Sequence, residues 1–268
     1  MTTELTLTSA DGTELAVRCT GHGSPIVLVH GAVGDRDTFA LIEERLAERH
    51  SVWVYSRRGR GGSGDGPDYT YHREVDDVLA VLAGAGGRAH LFGHSGGALY
   101  ALSAATQAPS LRSLVLYELP LIDRLDAGSI DGLIEGMETA LDAGDADRAL
   151  ELFLPLAGVV DEELEVLRAL EPVWARMRAG VRLVPRELRS GLRDGPDWLA
   201  RFVPPDVPAL YLHGEETDAR MFPSPSEVAD LLPNAQLQGL PRQRHLGFAF
   251  DPSSFASAIL DFTAAHNT

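Results

Sequence analysis

Gly93-His94-Ser95-Gly96-Gly97 places a serine in the spacing Gly-x-Ser-x-Gly, directly after the apolar run Ala89–Phe92 and at the start of a helical pattern, Gly97–Gln107. A serine at a strand-to-helix turn is held with its hydroxyl exposed, and the flanking glycines leave room for a strained positive-φ turn between neighbouring strands. The chemistry this suggests is nucleophilic attack. A serine hydroxyl is weak without a base, so a histidine must reach it. His245 is the candidate, because it lies between the last strand pattern and the final helix, at the sheet edge where open α/β folds gather ligands. His94 reads as a packing or hydrogen-bonding neighbour, since adjacent residues on a turn point apart. Negative charge developing on a substrate carbonyl needs donors, and the N–H groups of Ala32 and Gly96 are the candidates for that oxyanion hole. Ala32 belongs to His30-Gly31-Ala32-Val33, directly after the strand pattern Pro25–Val29. His30 is expected to support this loop. His22, His50, His72, His90 and His266 read as surface or loop residues.

The histidine in turn needs an acid. The commoner arrangement places Asp three residues after a glycine that ends a strand, but here that stretch reads His213-Gly214-Glu215-Glu216-Thr217-Asp218, with Thr217 at the expected position. Glu118 ends the strand pattern Ser113–Glu118. A carboxylate at the tip of a buried central strand costs desolvation energy unless it has a partner, and a histidine N–H from the 245 loop would provide one. Glu118 is therefore preferred as the acid, with Asp218 and then Glu215 or Glu216 as alternatives.

These residues need a scaffold. Segments Glu4–Thr8 and Thr13–Cys19 flank an Asp-Gly turn and read as a hairpin. From Pro25 to Pro120, short solid apolar runs alternate with helical periodicity at 38–49, 71–83 and 97–107, which implies a mostly parallel central sheet with helices on both faces. Residues 121–198 read as helical throughout, with breaks expected at Gly128, Gly144, Gly158, Pro172, Gly180 and Pro185 and at Gly195-Pro196. Strand patterns return at Pro208–His213 and Gln236–Leu240, and the last helix runs over 252–265. The expected organisation is a discontinuous α/β core, 1–120 with 199–268, carrying a helical lid at 121–198. An inserted lid over a polar cleft supplies an apolar wall. Val33, beside the amide donors, with Trp174 and Met177 in the lid, are the candidate substrate contacts.

Composition narrows the partners. The 268 residues carry 23 Lys+Arg against 39 Asp+Glu, a net charge of −16, which disfavours nucleic acid and anionic membrane. Every basic residue is arginine, so no lysine can form a Schiff base or a Walker-type phosphate contact. One cysteine, Cys19, excludes an internal disulfide and a multi-cysteine metal site. No metal and no cofactor is expected. Gly59-Arg60-Gly61-Gly62-Ser63-Gly64 matches a dinucleotide fingerprint, but Gly66-Pro67 interrupts the chain where a helix should open. Arg57, Arg58 and Arg60 are expected to pair with nearby carboxylates. The polar first residues and the lack of a long apolar run point to a cytoplasmic protein.

The chain resembles the α/β-hydrolase superfamily over nearly its whole length, which implies that fold. Gly93-His94-Ser95-Gly96-Gly97, Tyr117-Glu118-Leu119-Pro120 and Pro172-Val173-Trp174-Ala175-Arg176 together look like the zearalenone lactonases, lid-bearing enzymes that open a polyketide macrolactone. That resemblance implies the acid role for Glu118 and substrate contact for Trp174. The chain departs from the family at His94, in the generic form of the 30–33 loop, and in the lid at 177–185. The reading is a cofactor-free serine hydrolase acting on an ester or lactone of an apolar, medium-sized small molecule. The alternatives are a C–C hydrolase, a thioesterase or a polyketide-tailoring enzyme with the same triad, and a scaffold that binds a small ligand without turnover. Epoxide hydrolase and dehalogenase chemistry is disfavoured, because both need a carboxylate where Ser95 stands.

Overall fold

The computed structural model describes residues 1–121, 126–191, 205–217 and 222–267. Eight strands form one sheet: β1 (Thr2–Thr8), β2 (Glu14–Gly21), β3 (Ser24–Val29), β4 (His50–Tyr55), β5 (His90–His94), β6 (Ser113–Tyr117), β7 (Ala209–Gly214) and β8 (Ala235–Leu240). Their order is β1-β2-β4-β3-β5-β6-β7-β8. β1 pairs antiparallel with β2, and β2 with β4; all other pairings are parallel. The expected hairpin and the mostly parallel sheet are both present.

The solid apolar runs are explained by helices on both faces. In β3, Val27 and Val29 enter the apolar cluster under α2 (Tyr71–Gly84) and α3 (Gly96–Ala105), whereas Ile26 and Leu28 enter the cluster under α1 (Ala40–Leu46) and the C-terminal helices. β6 divides the same way, with Leu114 and Leu116 on one side and Val115 and Tyr117 on the other. Alternation of side chains along a strand makes both faces apolar, and each fully buried aliphatic side chain contributes roughly 1.5–3 kcal/mol. His50 and His90 begin β4 and β5 and are buried, correcting their reading as surface or loop residues. The strand partners shield them: their rings meet edge to face at 5.3 Å, and their nitrogens reach Thr263 and Ser113.

Between β6 and β7 the described residues form helices joined by turns and short irregular stretches: α4 (Ala127–Asp142), α5 (Ala146–Phe153), α6 (Asp161–Ala169), α7 (Glu171–Val181) and α8 (184–191). These helices share their own apolar cluster, including Ile134, Met137, Leu150, Trp174 and Val184. The expected boundary at 198/199 lies outside the described residues. Several expected breaks are not breaks. Pro172 and Pro185 stand in the first turns of α7 and α8, where a missing N–H costs nothing. Gly128 is in the first turn of α4, and Gly180 lies inside α7 for a packing reason described below.

After β7 come α9 (Pro225–Leu231), α10 (Gly247–Phe250) and α11 (Pro252–Ala265). Among the described residues, no helix is long and apolar enough to cross a membrane. The chain runs from β3 out to β4 and then returns to β5 on the other side of β3. This reversal opens a crevice at the carboxyl ends of β3 and β5, the position where open α/β sheets bind ligands.

Candidate active site

Ser95 follows β5 and precedes α3 with φ 54°, in the left-handed region that a non-glycine residue avoids. Its backbone N–H donates to the Tyr117 carbonyl at 2.9 Å, which ties the turn to the neighbouring strand. The glycines on either side are required by packing. A β-carbon on Gly97 would lie 2.4 Å from the Val29 carbonyl oxygen, and one on Gly93 would lie 2.7 Å from the Ala98 α-carbon.

Glu118 also has a positive φ, 51°. Its buried carboxylate places Oε2 2.8 Å from Nδ1 of His245. Its Oε1 accepts from the Gly214 N–H at 2.9 Å and from the Thr217 hydroxyl. The strand order brings this about, because β6 and β7 are neighbours and their carboxyl ends face the 245 loop. Glu216 instead pairs with Arg244 at 2.9 Å, and Glu215 lies against Gly239. The remaining alternative, Asp218, lies outside the described residues. An acceptor on Nδ1 leaves Nε2 of His245 as the nitrogen able to take a proton, the division of roles a general base needs.

The His245 loop is held on three sides. Nε2–H of His94 donates to the backbone carbonyl of His245 at 3.0 Å, and the two rings lie 4.6 Å apart. The Tyr117 hydroxyl donates to the Arg244 carbonyl and accepts from the Gly247 N–H at 3.3 Å. Phe222 stacks on the His245 ring at 4.7 Å and 25°. Burial, helped by the adjacent His245, pushes the His94 imidazole well below its usual pKa, so it is a neutral strut rather than a proton carrier. The sequence reading of His94 as a neighbour is met. The parts played by Tyr117, Thr217 and Phe222 were missed; Thr217, at the position expected for the acid, was the one available signal.

The loop after β3 faces the serine. A β-carbon on Gly31 would lie 3.1 Å from that of Ser95, and one on Gly96 would lie 4.0 Å from the Ala32 nitrogen, so the loop that carries Ala32 packs against the Ser95–Gly96 turn. His30 braces this loop as expected: Nδ1–H donates to the Gly31 carbonyl at 2.8 Å and Nε2 accepts from the Arg57 N–H at 3.0 Å. Burial and then the Arg57 and Arg60 cations lower its pKa well below the usual value, keeping it neutral.

Arg57, Arg58 and Arg60 do pair with carboxylates. Arg57 makes a two-pronged contact with Glu74 (2.7 and 3.0 Å), and Arg58 does the same with Asp77 (both 2.8 Å). Arg60 pairs with Glu187 of α8. The Gly59–Gly64 stretch closes on itself through Gly59 N–H to the Gly64 carbonyl, 2.8 Å, and runs into loop rather than a helix N-terminus.

Ser95 and His245 open onto a cavity of about 510 Å³ with mostly apolar walls. Ala32 and Val33 line it, as do Leu167, Val173, Arg176 and Met177, so Val33 and Met177 both border this cavity. Trp174 does not line it. It is buried among the helices of the insertion, its indole N–H donates to Asp147 at 2.6 Å, and Arg168 lies over its ring. The helical period explains this correction, since 173, 176 and 177 share one face of α7 and 174 faces away. Among the described residues, no group of three or more metal-ligating side chains converges.

The sequence model of the alpha/beta hydrolase family matches residues 26–258. An alpha/beta hydrolase from Sphaerobacter thermophilus is 32% identical, superposes with a TM-score of 0.83, and the match covers 97% of this chain and 100% of that one. A pimeloyl-[acyl-carrier protein] methyl ester esterase from Xanthomonas campestris is 29% identical over 91% of this chain and 97% of its own length. An N-formylmaleamate deformylase from Pseudomonas putida is 38% identical, over 39% of this chain and 41% of its own length.

Proposed function

This chain belongs to the alpha/beta hydrolase family, and on that premise we propose that it is a serine hydrolase cleaving a carboxylic ester or lactone of an apolar, medium-sized molecule. The observation that carries the proposal is the 2.8 Å contact between Glu118 and Nδ1 of His245, beside a cavity that Ser95 also lines. Positive φ at both Ser95 and Glu118 supports it, because backbone strain of about 1–3 kcal/mol persists where function or packing over-determines it.

In this mechanism Nε2 of His245 takes the Ser95 proton as Oγ attacks the substrate carbonyl. The N–H groups of Ala32 and Gly96 hold the oxygen that becomes negative, each donor being worth roughly 3–4 kcal/mol in the transition state. Glu118 keeps the imidazole oriented and stabilises its charged form. Collapse of the tetrahedral adduct expels the alcohol, which takes the proton from His245, and leaves an acyl-Ser95 ester. Water, deprotonated by His245, then releases the acid and restores the serine.

The helices between β6 and β7 act in this reading as a lid that supplies the apolar wall. An ester substrate is favoured by the methyl ester esterase relative, and a lactone by the resemblance of the Glu-Leu-Pro turn at 118–120 to that of the zearalenone lactonases. A thioester or a C–C bond would use the same residues and differ in the leaving group.

The test is hydrolysis of p-nitrophenyl esters from acetate to decanoate, and of zearalenone, together with labelling by a fluorophosphonate. Wild type is expected to turn over esters and to label at Ser95, with both lost in Ser95→Ala. Turnover that survives Ser95→Ala, or a wild type that neither labels nor hydrolyses, refutes the proposal, the latter in favour of a passive ligand-binding scaffold.

A further inference from the structure

Two buried arginines grip the carbonyls of the loop that packs against Ser95. Nη1 of Arg57 donates to the Gly31 carbonyl at 3.1 Å, and Nη2 of Arg60 donates to the Ala32 carbonyl at 2.5 Å. Neither guanidinium is exposed. Glu74 on α2 and Glu187 on α8 balance their charge, and Glu187 contacts both arginines, at 3.0 Å in the case of Arg57.

A trans peptide is planar, so the carbonyl of Gly31 and the N–H of Ala32 point in opposite directions. The carbonyl is held towards Arg57 and His30. The Ala32 N–H is thereby turned the other way, and its nitrogen lies 4.0 Å from where a β-carbon on Gly96 would sit. A cationic donor on the carbonyl also polarises the peptide and strengthens its N–H as a donor.

We infer that Arg57 and Arg60 are positioning residues for the Ala32 oxyanion amide, and that Glu187 ties their orientation to the docking of helix α8. α8 is fixed to the same region by two more contacts. The Tyr71 N–H donates to Ser190 at 2.7 Å, and Arg186 pairs with Asp65 at 2.7 Å. The oxyanion loop is therefore set by the inserted helices as well as by the sheet. The inference rests on the serine hydrolase reading for its catalytic meaning, but its geometry can be tested without turnover.

The experiment uses the full chain with Arg57→Lys, which keeps the charge but not the fork, and Arg57→Met/Glu74→Gln, which removes one charge of each sign so that neither is stranded. Folding is checked by circular dichroism. The expected result is a fall in kcat of about 10- to 100-fold with KM on a short ester little changed. Affinity for an alkyl boronic acid, whose serine adduct carries the tetrahedral charge, falls in parallel. The pH midpoint of kcat/KM stays put, because the His245–Glu118 pair is untouched. The Ala32 amide proton shift, read by NMR, moves in both variants. Unchanged kcat and an unchanged Ala32 shift in either folded variant overturn the inference, as does a loss that appears in KM or in the pH midpoint alone. A wild type without turnover, whose Ala32 shift still responds to Arg57, removes the hydrolase reading and leaves the positioning role standing.

Discussion

The Thr217 hydroxyl donates to the carboxylate of Glu118, from the position where the commoner arrangement places the acid itself. Glu118 stands one strand inward of that position, at the tip of β6 rather than in the loop after β7, and Thr217 supplies a donor to its carboxylate. With the Gly214 N–H on the same oxygen, Glu118 has one oxygen committed to orientation and the other to His245. Donors of this kind offset the desolvation of a buried carboxylate.

Glu118→Gln is expected to lower kcat on the order of 10³–10⁴-fold while leaving the fold intact, since a neutral amide neither fixes the tautomer nor stabilises the imidazolium. Thr217→Val removes one bond to a charged group, a matter of about 1.5–3 kcal/mol if felt fully, and is expected to cost roughly tenfold or more. Asp218→Asn is expected to keep activity, because the single proton on Nδ1 of His245 is already taken by Glu118. Steady-state kinetics on a short ester checks all three. A large loss in Asp218→Asn with activity kept in Glu118→Gln would reverse the assignment.

Gly180 lies inside α7 because the Val33 backbone packs directly on it; a β-carbon there would sit 2.7 Å from the Val33 carbonyl oxygen. Gly180→Ala must displace either α7 or the loop after β3, although alanine is otherwise the better helix former by about 1 kcal/mol. The expected outcome is a several-fold loss of kcat despite a folded protein. Full activity with raised thermal stability would show that the contact relaxes without consequence.

Trp174 and Met177 separate packing from substrate contact. Trp174→Leu is expected to lower stability by about 2–4 kcal/mol through lost packing and to leave KM for esters near wild type. Met177→Ala, on the cavity wall, is expected to alter KM and shift the preferred acyl length. Urea unfolding alongside a chain-length series distinguishes the two. A Trp174 variant with wild-type stability and a raised KM would restore the direct contact that the family resemblance implies.

Acid sensitivity follows from the buried histidines. Burial lowers His90 from 6.5 to about 4, and His30, His50 and His94 are lowered from the same starting value. As pH falls below 6.5 the unfolded chain takes up protons that the folded chain refuses, so stability falls with falling pH. Asp35, Asp77 and Glu163, raised by burial, act in the opposite sense nearer the carboxylate range. The effect is therefore read between pH 6.5 and about 5, as unfolding that takes up more than one proton. Pure carboxylate titration, with a flat profile above pH 5, would contradict it.

Much of this was open to the sequence by itself. The serine turn, the alternation that requires a parallel sheet covered on both faces, the loop position of His245, and an expensive carboxylate ending β6 are local facts. They rest on periods of 2 and 3.6 residues and on glycine sterics. What local pattern cannot carry is which partner each group meets. Glu118 and His245 are 127 residues apart, and their contact depends on the order of β6, β7 and β8. An apolar stripe shows that a helix has a buried side but does not say against what, so Trp174 turns into the inserted helices while Met177 meets the cavity. His50 and His90 look like loop residues until neighbouring strands and α11 close over them. Arg57 and Arg60, polar residues in a glycine-rich loop, reach the Ala32 peptide only because the tertiary fold brings α2 and α8 up with the carboxylates that make two buried cations tolerable.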